Sequence, residues 1–233
     1  GSIGVTFFPD DDNDADTLVR HADQAMYVAK QAGRNRYHVF DALMDRDAQS
    51  RLGARNRVIA ALSAGEFRLH YQPKVNLREG RVIGVEALIR WQHPERGLVS
   101  PGEFLPLIED DGFAVHLSEW VIDTALAQME QWQELGLVLG VSVNLPARHL
   151  QDAGFAEFLG AALARHPAVA PALFELEVLE SAALDDVIGV SARMQQCRLL
   201  GVRFALDDFG TGYSSLAYLR RLPIELLKID QSF

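Results

Sequence analysis

Carboxylates and one lysine recur from Glu86 onward in this chain, each near the end of an apolar run. Glu86 sits inside Gly84-Val85-Glu86-Ala87-Leu88-Ile89-Arg90-Trp91, and Arg90 closes that run. Asn144 ends Val141-Ser142-Val143-Asn144, while Glu175, Glu177 and, just after, Glu180 punctuate the next run. Asp207 and Asp208 end Ala205-Leu206-Asp207-Asp208, and Lys228 and Asp230 stand in the last run. If these runs are strands of one α/β sheet, their carboxyl ends converge on one mouth. Glu86, Asn144, Glu177 and Asp207 would gather there, with Asp208 and Lys228 beside them. Several carboxylates cannot share a low-dielectric mouth without positive charge. Oxygen donors with no His or Cys among them suit Mg²⁺ or Mn²⁺ rather than Zn²⁺. The paired Asp207-Asp208 could serve two ions, the usual arrangement for in-line displacement at phosphorus. A single acidic residue at a strand end is commonly only a helix cap, and Asp230 fits that reading. Four or more at successive strand ends favour a metal site, although the donor set does not specify a substrate.

The elements that must position these residues follow from hydrophobic periodicity. Six strands are predicted: Phe67–Val75, Val82–Trp91, Leu137–Asn144, Leu173–Leu179, Val202–Asp207 and Leu226–Asp230. Helices are predicted at about Phe104–Asp111, Val115–Leu135, Phe155–Arg165, Asp185–Leu200 and Ser214–Arg220. Alternating strand and helix means an α/β class with a largely parallel sheet. The first two strands are joined too tightly for a crossover helix, so that pair should be antiparallel. The rhythm favours a barrel of the eight-stranded (β/α) class that stops after about six strands; an open doubly wound sheet has similar unit lengths. After the fifth strand, Asp208-Phe209-Gly210-Thr211-Gly212-Tyr213-Ser214 reads either as a plain turn into a helix capped by Ser214 or as a mobile loop carrying Asp208 to the metals.

The first forty residues have another pattern. A strand over residues 1–9 is predicted to end at Pro9, followed by the acidic loop Asp10-Asp11-Asp12-Asn13-Asp14. Asp14 or Asp16 can cap a helix running to about Ala32, and Tyr37–Phe40 reads as a closing strand. Strand, helix and strand alone are too little for a stable domain, so this α+β piece reads as the end of something larger. Residues 41–65 read as a polar helix, either a linker or the opening helix of the next domain. The expected division is 1–41, a linker helix over 42–55, and 56–233.

Composition limits the partners. Apolar residues at 48% supply a core, and a charged share of 23% is ordinary for a globular protein. The net charge of −10 opposes the Lys/Arg balance that polymeric nucleic acid demands, so no such partner is expected. A small phosphate ligand remains compatible, because bound cations supply positive charge locally. No apolar run reaches membrane-span length, so no membrane contact by this segment is expected. Cys197, alone in the sequence, excludes an internal disulfide, reads as a buried structural thiol, and fits a reducing, cytoplasmic setting.

The motifs together resemble the EAL family. Glu86-Ala87-Leu88 looks like its signature, and it is accompanied in the family's order by Tyr71-Gln72-Pro73-Lys74, Asn144-Leu145-Pro146-Ala147-Arg148, Leu176-Glu177-Val178-Leu179-Glu180-Ser181, the Asp208 loop and Lys228-Ile229-Asp230. The resemblance implies a TIM-like (β/α)8 barrel of EAL type with one antiparallel strand, acting as a phosphodiesterase that hydrolyses cyclic di-GMP to linear pGpG with two Mg²⁺ or Mn²⁺ ions. By matching motifs it implies that Glu86, Asn144, Glu177 and Asp207 ligate metal and that Asp208 holds the second ion. It further implies that Lys228 orients the attacking water, that Gln72 and Arg90 contact guanine and phosphate, and that Glu180 anchors the loop of residues 208–215 beside a homodimer interface. Glu86, Asp207, Asp208 and Lys228 form the expected catalytic set. The family usually has Thr where this chain has Leu179. It also continues for two more strands, with a further site Glu and a substrate-binding Gln, whereas the sequence stops at Phe233; without them the chain alone is expected to be inactive. Ser2-Ile3-Gly4-Val5, Ala22–Lys30 and Gly33-Arg34-Asn35-Arg36-Tyr37 resemble the end of a GGDEF diguanylate cyclase domain, without the catalytic loop that names that family. The expected parent is a tandem GGDEF–EAL signalling protein. The alternatives are a receptor that binds cyclic di-GMP without hydrolysing it, and an interaction module that binds no nucleotide.

Overall fold

The computed structural model describes residues 1–109, 112–180, 186–210, 221–230 and 232, and the backbone alone of residues 42–48. Contacts divide the chain into two units, Gly1–Arg57 and Val58–Phe233.

In the first unit, strand β1 (Ser2–Val5) pairs in parallel with β2 (Arg36–Val39), and helix α1 (Ala15–Gln31) connects them. β1 ends well before Pro9, because residues 8–10 form a turn. The Asp14 side chain caps α1 by accepting from the Thr17 backbone N–H at 2.9 Å. The helix lies directly on β1: a Cβ at Gly4 would stand 1.8 Å from the Ala22 carbonyl oxygen, so only glycine permits this approach. In the acidic loop, Asp11 is buried and accepts from Thr6 Oγ1, Asn13 Nδ2 and His21 Nδ1, and the His21 ring stacks on Phe40 at 4.0 Å.

Helix α2 (Ala42–Ser63) includes residues 42–55, expected to be helical, and continues to Ser63. From Val58 onward it belongs to the second unit, where Val58 and Ala61 pack with Phe67, Trp91, Val99 and Phe104. The Phe67 ring lies 5.4 Å from Phe104 and 6.0 Å from Trp91, and the Trp91 indole N–H donates to Glu66.

β3 (Phe67–Asn76) and β4 (Arg81–His93) are antiparallel, with Gln72 opposite Glu86. The Asn76 side chain closes the turn between them by accepting from the backbone of Arg78 and Glu79. A short strand β5 (Gly97–Val99), unforeseen in the sequence, folds back on β4. The helix expected over Phe104–Asp111 instead begins at Pro101 as α3 (Pro101–Phe104) and gives way to a 3₁₀ turn over Leu105–Leu107. Ser100 and Glu103 form a capping box at its start, and Pro106 lacks the N–H that an α-helix needs there.

The remaining strands are parallel: β6 (Gly140–Asn144), β7 (Phe174–Leu179), β8 (Arg203–Phe209) and β9 (Leu226–Ile229). Helix α4 (Phe113–Glu134) precedes β6, α5 (Ala147–Gln151) and α6 (Phe155–Arg165) lie between β6 and β7, and α7 (Val187–Leu199) between β7 and β8. The order is β3-β4-β6-β7-β8-β9, with β5 attached to β4. β6 starts at Gly140 rather than Leu137, because pairing with β4 begins at Gly84↔Gly140; Leu137 and Val138 stay exposed. The helix expected at Ser214–Arg220 lies outside the described residues.

The sheet is curled. Four strand steps separate β4 from β9, which in a flat sheet is about 19 Å. Yet Lys228 Nζ on β9 lies 3.1 Å from Glu86 Oε2 on β4. This mixed α/β sheet, mostly parallel with one antiparallel edge, is the fold of a TIM-like barrel taken as far as its sixth barrel strand.

Apolar residues cover its outer face. Val85, Ala87, Val141, Val143, Phe174, Leu176, Val178, Phe204 and Leu206 pack against Ile122 and Leu126 of α4, Leu159 of α6 and Met194 of α7. Each fully buried large side chain contributes about 1.5–3 kcal/mol. Cys197 is buried in this layer, and burial pushes its thiol up to about 11.

Candidate metal centre

Period-two alternation on β4, β6, β7, β8 and β9 sends the residues between those apolar ones to the inner face. There Lys228 Nζ donates to Glu177 Oε2 at 2.6 Å, to Asp207 Oδ2 at 2.8 Å and to Glu86 Oε2 at 3.1 Å. Carboxylate oxygens of Glu86, Glu177 and Asp207 all lie within 4.8 Å of one another. Asn144 joins them, its Nδ2 donating to Glu86 Oε1 at 2.9 Å. Four of the five expected metal ligands are therefore brought together, around the expected lysine.

A bulge sets the position of the fifth. Leu206 pairs with Leu227 and Phe209 with Ile229, so Asp207 and Asp208 together face Lys228 alone. Asp208 is held at φ 54°, a left-handed conformation that Asp tolerates better than most side chains, and its N–H donates to Asp207 Oδ1. Its carboxylate is exposed and stands outside the three-carboxylate cluster. Partial burial and then the negative charges of Asp207 and Asp230 raise its pKa, against the pull of Lys228.

Glu177 is only 1% exposed. Burial by itself would push its carboxyl up, but hydrogen bonds from Lys228 and Lys74 outweigh it and hold the carboxyl below the usual range. Lys228 shows the converse: burial disfavours its charge, and Asp207, Glu177 and Glu86 more than restore it. Both groups are charged.

Glu180 is buried at the end of β7, where its Oε2 accepts from the Gly210 backbone N–H at 2.8 Å. Gly210 adopts φ 102°, which favours glycine. Residues 211–215 of the expected loop lie outside the described residues. Gln72 is exposed on β3 opposite Glu86, and Arg90 lies four residues beyond Glu86 on the same face of β4. Arg90 Nη1 donates to the Ile89 carbonyl.

Lys74 and Glu175 received no role from the sequence, yet both belong here. Lys74 Nζ donates to Glu177 Oε1 at 2.7 Å and to Glu175 Oε1 at 3.0 Å. The available signal was period two: Lys74 follows Gln72, and Glu175 precedes Glu177, each on the inward face.

An all-oxygen cluster of this kind fits a hard divalent cation. The family model described as EAL domain matches residues 55–233. The chain belongs to the EAL domain family. Residues 1–36 match the model described as Diguanylate cyclase, GGDEF domain. Over 233 residues the chain is 44% identical to the bifunctional diguanylate cyclase/cyclic di-GMP phosphodiesterase MucR of Pseudomonas aeruginosa, covering all of this chain and 34% of that protein. It is 39% identical to the cyclic di-GMP phosphodiesterase PdeR of Escherichia coli, again over its whole length and 35% of the relative. The chain thus spans about a third of the length of these curated relatives. A solved structure described as the PaMucR phosphodiesterase in complex with c-di-GMP superposes with a TM-score of 0.73 at 44% identity, covering 77% of this chain and 73% of that one.

Proposed function

We propose that this EAL domain is the phosphodiesterase part of a bacterial second-messenger protein that hydrolyses cyclic di-GMP to linear pGpG. The observation that carries the reading is the convergence of Glu86, Glu177 and Asp207, from three different strands, on the Lys228 ammonium. Two relatives whose names include cyclic di-GMP phosphodiesterase, MucR and PdeR, support the substrate.

Glu86, Asn144, Glu177 and Asp207 would hold one Mg²⁺ or Mn²⁺ ion, and Asp207 with Asp208 a second. Bound there, the ions supply Lewis acidity and a nucleophile at neutral pH. The protein's own groups do the positioning. Lys228, kept charged by its carboxylate partners, donates hydrogen bonds and orients the attacking water rather than removing its proton. Gln72, which pairs opposite Glu86, and Arg90 would take guanine and phosphate. Glu180 anchors the segment from Asp208 through its bond to Gly210. The domain division we propose is a GGDEF-type remnant over 1–41, the helix from residue 42, and the EAL-type domain from 56. A cytoplasmic location and a homodimer through the EAL domain belong to the same reading. Among the described residues, no helix is long and apolar enough to cross a membrane.

The test is hydrolysis of cyclic di-GMP, with Mn²⁺ and with chelator, by this chain and by the natural chain continued past Phe233. Metal-dependent pGpG from the continued chain is the expected result. Saturable binding without product would make the protein a receptor, and absence of binding would leave an interaction module.

A further inference from the structure

Glu177 is pinned from both sides: Lys228 holds Oε2 at 2.6 Å, and Lys74 holds Oε1 at 2.7 Å. Oε2 faces Glu86 and Asp207, since the Lys228 Nζ contacts a carboxylate oxygen of each. Oε1 faces the other way, toward a second pair, Lys74 with Glu175 at 3.0 Å. A cation held by the cluster would compete with the Lys228 ammonium for Oε2, whereas the Lys74 bond is made to the other oxygen. Lys74 comes from β3, three strand steps from β7, so nothing in local sequence ties it to Glu177. The Glu175 side chain is largely buried, and without an ammonium between them it would repel Glu177 two residues on.

We propose that Lys74 is a positioning residue for metal binding: it fixes the Glu177 carboxylate so that one oxygen points into the cluster, while Glu175 balances its charge. This rests on the proposed metal-dependent phosphodiesterase. Partners behind metal ligands commonly change metal affinity by about 10–100-fold when removed, and that is the expected effect of Lys74→Met.

The test is Mn²⁺ binding to the full natural chain, followed by loss of the free-ion electron paramagnetic resonance signal, for wild type, Lys74→Met, Lys74→Arg and Glu175→Gln. Thermal unfolding of each metal-free protein is measured alongside. The expected result is Mn²⁺ affinity about 10–100-fold weaker in Lys74→Met, with part of the loss recovered in Lys74→Arg, which keeps the charge, and binding retained in Glu175→Gln. Hydrolysis by Lys74→Met should recover as Mn²⁺ is raised, with KM for cyclic di-GMP little changed. Should Lys74→Met fail to fold, the double variant Lys74→Met/Glu175→Gln, which removes the cation with its second carboxylate, carries the same expectation. Undiminished Mn²⁺ binding by Lys74→Met, or no difference between Met and Arg at this position, overturns the inference alone. A wild-type protein that binds no Mn²⁺ overturns the metal-site reading and this inference with it.

Discussion

Two faces of one sheet meet in the six residues of β7. Phe174, Leu176 and Val178 are completely buried on one side, while Glu175 and Glu177 are almost as deeply buried on the other. The outer face is stabilised by removing apolar area from water, a force without direction that tolerates changes of partner. The inner face buries carboxylates, which is unfavourable unless each is paired and hydrogen-bonded. It is held by two ammonium groups arriving from β3 and β9. Stability therefore resides on the outer face, while the inner face trades stability for a concentration of negative charge suited to a cation.

That contrast can be broken from either side, starting with the largest expected effect. Phe174→Ala should destabilise the domain by about 3–5 kcal/mol, read from urea unfolding, while in the continued chain the fraction still folded keeps the proposed hydrolytic activity. Lys228→Met should do the reverse: in the continued chain, kcat of the proposed cyclic di-GMP hydrolysis falls about 10²–10³-fold, with the fold retained when Mn²⁺ is present to face the carboxylates. Loss of the fold despite Mn²⁺ would mean that the inner face is structural as well.

A smaller effect tests a buried polar pair among the helices. His149 on α5 is buried, its Nδ1 meets Ser118 Oγ at 2.9 Å, and burial holds its pKa below the ordinary value despite the nearby charges of Glu119 and Asp152. The unfolded chain therefore binds a proton that the folded one resists. Stability should fall as pH drops through about 6.5, the ordinary histidine pKa, toward the lower folded value. His149→Gln should flatten that slope in thermal unfolding between pH 7 and 5. The smallest effect belongs to the exposed pair Arg96–Glu103. Arg96→Ala should change stability by about 0.5 kcal/mol or less, because water screens what the inner face leaves unscreened.

Much of the inner face was legible in advance. Glu86, Asn144, Glu177, Asp207 and Lys228 sit near the ends of apolar runs, and period two with strand-end convergence brings them together. Asp208 illustrates the limit: adjacency to Asp207 suggested a shared role, but only the bulge facing Lys228 sets where its carboxylate stands, beside the three-carboxylate cluster rather than within it. Lys74 and Glu175 escaped because the cue for them, alternation within a strand, does not say which distant strand lies opposite. On the outer face, strand and helix existence followed from apolar patterning, whereas β5, α5 and the break at Pro106 depend on short-range pairing and capping that periodicity does not report.

By itself the sequence determined the α/β alternation, the antiparallel first pair, the family through its ordered motifs, and the chemical type of the site, because each depends on residue identity and spacing along the chain. Only the tertiary structure decided that Lys228 reaches Glu86 across four strand steps, that Glu177 is gripped by two lysines, and that Asp208 stands outside the three-carboxylate cluster. Those outcomes depend on the curl of the sheet and on one bulge, which arise from how strands twist and pair and are written in no single segment of the chain.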